Sequence, residues 1–521
     1  MAVDRYVNST NYEHAQESNL LNVHKAMEYN GEGKPALRIL DTNTGAASNS
    51  AFGEQLSVPL TPVIQLDALY EFDPREFQTF SGLGGSILQD TAKTLFQAHT
   101  GTQPYGYAVI RSNRSARYRP GQGLMARFTA MYDHPQAGVT LRAGLIAQEQ
   151  SLVVGYNGTQ FGILRQNGGK AQIVKITITS NTAGTAVITL NGVVTNVTLT
   201  TTNTTTSATQ IASTTFAGWQ TQQVDNVVWF LADRVGVLSG ANSIAGTALG
   251  TSSVVQTGIE HTDTWTYQSE WNIDKLDGTG TSGVTLDPSK LNIFQIQFRW
   301  LGAGEIRWAV ENPINGDLIY FHHIHYSNKN TTVHLDNPSF RIGYAVYNGN
   351  NATITDAHVH GASMMVAVEG NIVDNSWPTG AHVIKKSLAQ DTVHGLMTLN
   401  NNMIHRNKIN LRRVQLKTLT VAFQGNDPAV ISLFLNGIST NAHAFNKVAD
   451  YSCVSQATGT TSFTYNNEQP LAEFVIPING SGDFDLESLG LVIPPNNRLN
   501  LAISSGQSIS NIAAAVTWIE T

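Results

Sequence analysis

The chain has 521 residues, a formal net charge of −7, 13% charged residues, 45 glycines and one cysteine. At roughly 100–200 residues per domain this length predicts about three domains, and a charged fraction near half of the roughly 25% usual in soluble domains implies outward positions filled by Thr, Ser, Asn and Gln, as on strands. The lone Cys453 excludes an intramolecular disulfide framework and a multi-cysteine metal site, and the negative balance argues against bulk nucleic-acid binding.

The opening, MAVDRYVNST, has neither the basic nor the apolar region of a secretory signal. Residues 1–50 read as a polar N-terminal arm with at most one short helix near Tyr12, ending in the linker-like DTNTGAASNSAFG at 41–53. From Phe52 the pattern is strand and turn. Its purest stretch is 293–310, where Phe294, Ile296, Phe298 and Trp300 alternate with Gln295, Gln297 and Arg299; after the turn at Gly302–Gly304, Ile306, Trp308 and Val310 alternate with Glu305 and Arg307. Period-2 alternation of this kind predicts a hairpin with one face on a core. Asn-Gly pairs beginning at 157, 167, 191, 315, 348, 436 and 479 supply tight-turn signals between such runs.

Residues 171–222 are roughly one-third threonine, with Lys175 the only charge. The expected order is a strand at 173–179, a hairpin through Asn191-Gly192, a short helix over 208–216 and a strand over 224–231. Ile176, Ile178, Val187, Ile188 and Leu190 supply core material, so 170–260 is read as a small Thr-rich domain inserted into a larger sandwich formed by 51–169 and 261–370. The segment NIVDNSWPTG at 371–380 marks a boundary. Strand-like runs around 414–423, 430–435, 471–476, 489–493, 499–503 and 513–519 make 380–521 a second, C-terminal β-sandwich. The fold class is all-β and antiparallel. No apolar run approaches the roughly 20 residues that cross a bilayer, MMVAV at 364–368 being among the longest, so no membrane partner is expected.

Candidate chemistry is sparse. Gly278-Thr-Gly280-Thr-Ser-Gly283 matches the dinucleotide-binding glycine spacing but lacks the strand before it and the helix after it, so it reads as a surface loop. His323 and His325 share a strand face, as do His358 and His360. If the two strands were neighbours, four imidazoles would meet one zinc or nickel ion. Packing roles are commoner for such histidines, and no metal or other cofactor is expected. Arg111, Arg114, Arg117 and Arg119, and a second group of Arg406, Lys408, Arg412 and Arg413, read as solvated or subunit-contact surface. The sequence has no nucleophile elbow, phosphate-binding lysine loop or His-Glu-x-x-His motif, so no enzyme is expected. Glu305/Glu311 and Asp483/Asp485 are the carboxylate pairs a polysaccharide depolymerase would use. Trp265, Tyr267, Tyr347 and Trp377, read as loop aromatics, either pack in local cores, the commoner role, or stack on sugars.

Three stretches carry a resemblance: AFGEQLSVPLTPVIQLDALYEFDP at 51–74, RYRPGQGLMARFTAMYDHPQAGVTLRAGL at 117–145, and 269–328, which contains SEWNIDKLDGTGTSG and runs on into NPSFRIGYAVYN at 337–348. They resemble a family of virion structural proteins of tailed bacteriophages and some large DNA viruses. The resemblance implies a concanavalin-like jelly roll in a particle's head decoration, neck, baseplate or fibre, assembled in the host cytoplasm with other virion proteins. It implies a homo-oligomer, a trimer being the first expected order, and brings no catalytic residues. It also places the 278–283 glycines in an architectural loop. The alternative reading is a carbohydrate-binding receptor-recognition module, or a depolymerase, on the particle.

Overall fold

The computed structural model describes residues 27–29, 35–37, 59–73, 75–350, 355–371, 377–437, 444–458 and 470–521. The chain divides into two units, Met1–Pro59 and Leu60–Thr521. In the first, strands Met27–Tyr29 and Pro35–Leu37 pair antiparallel. The helix expected near Tyr12 and the 41–53 linker lie outside the described residues.

The second unit is built from antiparallel sheets, and its described α-helix is Thr204–Ala212. Two sheets enclose the first core. One has seven strands in the order Thr262–Tyr267, Gln160–Asn167, Ser151–Asn157, Val139–Ile146, Arg341–Asn348, Tyr107–Ser112 and Phe77–Gly82. The other has nine. Its main path runs Leu318–Ile324, Ile306–Glu311, Asn292–Phe298, Leu124–Asp133, His358–Gly361, Leu95–His99 and Ser86–Asp90. Ser363–Glu369 continues beside Leu124–Asp133 and carries Leu60–Asp67 on its far side. There Thr61 Oγ1 donates to the Gly370 carbonyl at 2.8 Å, closing 309 residues of chain.

The alternation read at 293–310 appears as expected. Phe294, Ile296, Phe298, Ile306, Trp308 and Val310 are buried between the sheets, while Gln295 on the other face accepts from Arg127 Nη2 at 2.6 Å. Trp300, at the hairpin end, is only partly buried and donates to the Leu335 carbonyl. Two tyrosines tie sheet to sheet. Tyr132 in the nine-stranded sheet donates to Val154 O at 2.7 Å, and Tyr344 in the seven-stranded sheet donates to Thr129 O at 2.8 Å. A Cβ at Gly361 would stand 1.9 Å from the Tyr344 hydroxyl, so this crossing requires glycine there.

A second core contains Val174, Ile176, Ile178, Ile188, Leu190, Phe216 and Phe230. Its spine is Ala171–Leu190, which turns through Asn191 and Gly192, both at positive φ, into Val193–Leu199. Ser243–Gln256 runs along most of that spine across several register shifts. Two expectations shift here. The helix starts at Thr204 rather than 208, because Asn203 caps it by accepting from the Thr206 N–H at 2.9 Å. The single strand expected over 224–231 is instead a hairpin of Trp219–Val224 and Val227–Val235, turning at Asp225 with φ 54°. The ends of this segment meet, since Lys170 and Ile259 exchange both backbone hydrogen bonds at 2.9 Å.

The third core lies between two sheets of the C-terminal part, one containing Thr379–Leu388, Ile509–Glu520, Val414–Gly425 and Ser481–Asp485, the other His394–Asn401, Arg498–Ser505 and Ala429–Leu435. Trp518 is wholly buried within it. The Thr-rich segment touches this part directly. Gln222 Oε1 accepts from the Met403 N–H, and Gln223 exchanges two hydrogen bonds with the Phe445 backbone. Met403 and Ile404 pack with Ala171, Ile173 and Leu231.

Candidate functional site

Strand alternation decides what the outer face of the seven-stranded sheet carries. Leu141, Ala143, Phe161, Ile163 and Tyr344 point into the core, so Arg142, Gly162, Leu164 and their cross-strand partners face outward. Register then aligns Tyr267 with Gly162, Gly162 with Gly155, and Gly155 with Arg142. Trp265 stands beside Leu164, and Asp263 beside Gln166. Gly155 cannot be replaced, because a Cβ there would lie 1.8 Å from the Leu141 carbonyl.

Over this bare backbone lies Arg142. Its guanidinium sits 5.2 Å over the Tyr347 ring, and Nη2 is 3.8 Å from Asp263 Oδ2. Gln166 Nε2 holds Asp263 Oδ1 at 2.9 Å. The Trp265 and Tyr267 rings are 6.3 Å apart with planes within 7°, and the Tyr267 hydroxyl accepts from Asn157 Nδ2 at 3.0 Å. Trp265 rests on a small outer cluster of Val109, Ile146, Val153, Leu164 and Ala345. Three of the four aromatics read from the sequence therefore share one face. Trp377 does not join them: it is 90% exposed at the start of the C-terminal part, and no ring contact among the described residues links it to the other three. Arg142, Asp263 and Gln166 were missed in the sequence, although the outward phase of Arg142 between Leu141 and Ala143 was available there.

The four histidines do not converge on one ion. Leu318–Ile324 and His358–Gly361 are separated by three strands of the nine-stranded sheet. Each pair instead gathers carboxylates. His323 Nδ1 lies 3.2 Å and His325 Nδ1 3.6 Å from Glu305 Oε1, whose other oxygen binds Arg307 at 2.7 Å. Burial opposes ionisation of Glu305, but Arg307 and the histidines outweigh it and hold the carboxyl below its usual range. In the second cluster, register sets His358 opposite both His99 and Asp133. Asp356 Oδ2 stands 3.0 Å from His99 Nδ1 and 3.1 Å from His358 Nε2. His360 is 7% exposed, and burial, then His358, lowers it to about 4.

The remaining candidates are mostly occupied by architecture. Arg111 lies over Phe80 and donates to Gln78 Oε1. Arg412 approaches Glu520, and Arg413 donates to Thr521 Oγ1. Arg406 sits at positive φ in the turn between Ile404–His405 and Lys408–Ile409. Glu305, just before the strand Ile306–Glu311, and Glu311 at its end are six residues apart in near-extended chain, on the order of 20 Å, wider than the roughly 5–10 Å of a glycosidase pair. Asp485 accepts backbone N–H groups from Glu487 and Ser488. The 278–283 loop wraps Asp274, which accepts from the Leu276 and Ser282 N–H groups at 2.8 Å each.

No family model and no curated protein matches the chain. Among solved structures it is similar to the carbohydrate recognition domain of Emp47p, at 10% identity and a TM-score of 0.26 over 60% of this chain and 97% of that one. It is also similar to the cellulose induced protein Cip1, at 10% identity and 0.24 over 58% and 96%, and to lectin II from Ulex europaeus, at 7% and 0.23 over 59% and 99%. Overlays this loose carry no ligand site across; what the structure itself establishes is an all-β protein of antiparallel sandwiches.

Proposed function

We propose that the chain is a non-catalytic structural protein of a viral particle that binds a host-surface glycan on the outer face of its seven-stranded sheet. The observation that carries the glycan reading is the arrangement of Tyr347, Arg142, Asp263, Trp265 and Tyr267 over a glycine floor. Flat aromatic surface with a few fixed polar groups is the chemistry that orients a polyhydroxylated ring. Gln166 holds one oxygen of Asp263 and Arg142 approaches the other, so donors and acceptors for hydroxyl groups stand ready before binding. The particle reading rests on the sequence resemblance at 51–74, 117–145, 269–328 and 337–348, and carries with it the proposal of a homo-oligomer, a trimer first.

A glycan array probed with the full chain tests the first part. Binding is expected, and Trp265→Ala or Arg142→Ala should weaken it about 5–30-fold, the range of a lost anchor; an array without signal, or variants that bind like the parent, overturns it. Mass spectrometry of purified particles and mass photometry of the chain test the second part, which fails if the protein is absent from particles and strictly monomeric.

A further inference from the structure

Around His358 three strands place their chemistry in one spot. Leu95–His99, His358–Gly361 and Leu124–Asp133 are neighbours, and their register sets His99, His358 and Asp133 in one row on the outer face, with His360 two residues along on the same face. The two ring nitrogens of His358 look in different directions. Nε2 lies 3.1 Å from Asp356 Oδ2, and Nδ1 lies 3.9 Å from Asp133 Oδ2. Asp356 is itself anchored, taking the Gly101 N–H at 2.7 Å on its other oxygen. Asp356 favours the ring proton on Nε2 electrostatically, although Nε2 forms no aligned hydrogen bond; the Nδ1 lone pair then faces the Asp133 carboxylate, and a cation between them relieves that repulsion.

His360 supplies the third group. It is more than nine-tenths buried, yet both its ring nitrogens are shielded from solvent and without a hydrogen-bond partner. A buried imidazole left so is a rare and costly state. One nitrogen of His360, one of His358 and one oxygen of Asp133 lie within 4.8 Å of one another.

We propose that Asp133, His358 and His360 bind a divalent transition-metal ion of the zinc class, with Asp356 orienting His358 from behind. Two imidazoles and a carboxylate suit zinc, cobalt or nickel rather than calcium or magnesium. Donors on a tetrahedral ion with bonds of about 2.0–2.1 Å stand about 3.3 Å apart, so a closing of up to about 1.5 Å by side-chain rotation forms the site. Asp133 is half exposed, its other oxygen 3.5 Å from the exposed His134 Nε2, and can rotate toward the site. A carboxylate behind the ligating imidazole is the usual support of such a histidine. Two carboxylates in the cluster also match the charge of the ion. The Glu305, His323 and His325 group is the contrasting case, because Arg307 at 2.7 Å already supplies its cation.

The test uses the untagged full chain, stripped with a chelator and titrated with zinc chloride by calorimetry, with cobalt(II) absorption as a second readout. One ion per chain at this site is expected, with the intense visible bands of a tetrahedral cobalt centre. His360→Ala should abolish it, Asp356→Asn should weaken it about 10–100-fold, and His323→Ala should leave it unchanged. Circular dichroism identifies a variant that fails to fold, and the half-exposed Asp133→Asn serves if His360→Ala does. Absence of binding by the parent, or binding lost in His323→Ala and retained in His360→Ala and Asp133→Asn, overturns the proposal.

Discussion

His334 has no exposed surface, and burial together with the nearby Arg165 lowers it to about 4; burial does the same to His322. The unfolded chain therefore takes up these protons near pH 6.5 while the folded chain refuses them until about 4, so stability is lost as pH falls through that window. Carboxylates such as Asp274 join only below about 4.5. The urea midpoint is expected to be lower at pH 5 than at pH 7, and His334→Gln should reduce that difference. Cys453 behaves oppositely. Burial, then Glu520, pushes its thiol up, so Ellman's reagent should find no thiol in the native protein and one per chain in denaturant. At Asp274, burial works against ionisation, but the N–H groups of Ser282 and Leu276 and nearby hydroxyls outweigh it and lower the carboxyl. Asp274→Ala strips those donors and is expected to cost about 2–3 kcal/mol in chemical denaturation. Gly280 belongs to the same feature, since a Cβ there would stand 2.0 Å from Asp274 Oδ1. The glycine spacing was thus visible in the sequence, but the buried carboxylate it accommodates was not.

Among the elements, those with an unambiguous period were legible. The pair Asn292–Phe298 and Ile306–Glu311 follows directly from its alternation, and Ile296, wholly buried between the sheets, should cost about 2–5 kcal/mol when cut to Ala, read as a shifted urea midpoint. Weak local signals conceal other elements. The hairpin at Asp225 has no glycine, so Val224 to Leu231 looked like one strand; the N-cap at Asn203 lies in a run of threonines that conceals it. The candidate sites show a deeper limit. His323 and His325 are two residues apart, but in the other cluster His99 and Asp133 come from chain more than 200 residues before Asp356, His358 and His360. Pairing order in a sheet, which decides such neighbours, is not written in periodicity. The outer-face set is intermediate: Trp265 and Tyr267 are local, while Arg142 reaches Asp263 only through the order of four strands.

At the scale of the molecule, the Lys170–Ile259 bridge makes the Thr-rich segment removable in principle. Replacing 171–258 by Asn-Gly joins two backbones already hydrogen-bonded to each other. The sandwich of Leu60 to Glu369 keeps its core in that variant, and its glycan binding is expected to equal the parent's on the array. The C-terminal part loses the partners of Met403, Ile404 and Phe445 and should melt separately and earlier by calorimetry. The same connectivity orders events in time. Among the described residues Leu60–Asp67 has Ser363–Glu369 as its one sheet neighbour, and the Thr61–Gly370 bond spans 309 residues. At about 5–20 residues per second of synthesis, the early strand leaves the ribosome about 15–60 s before its partner exists. The Thr-rich segment, complete within its own stretch of chain, can fold during that wait, leaving the surrounding sandwich to close around a finished insert.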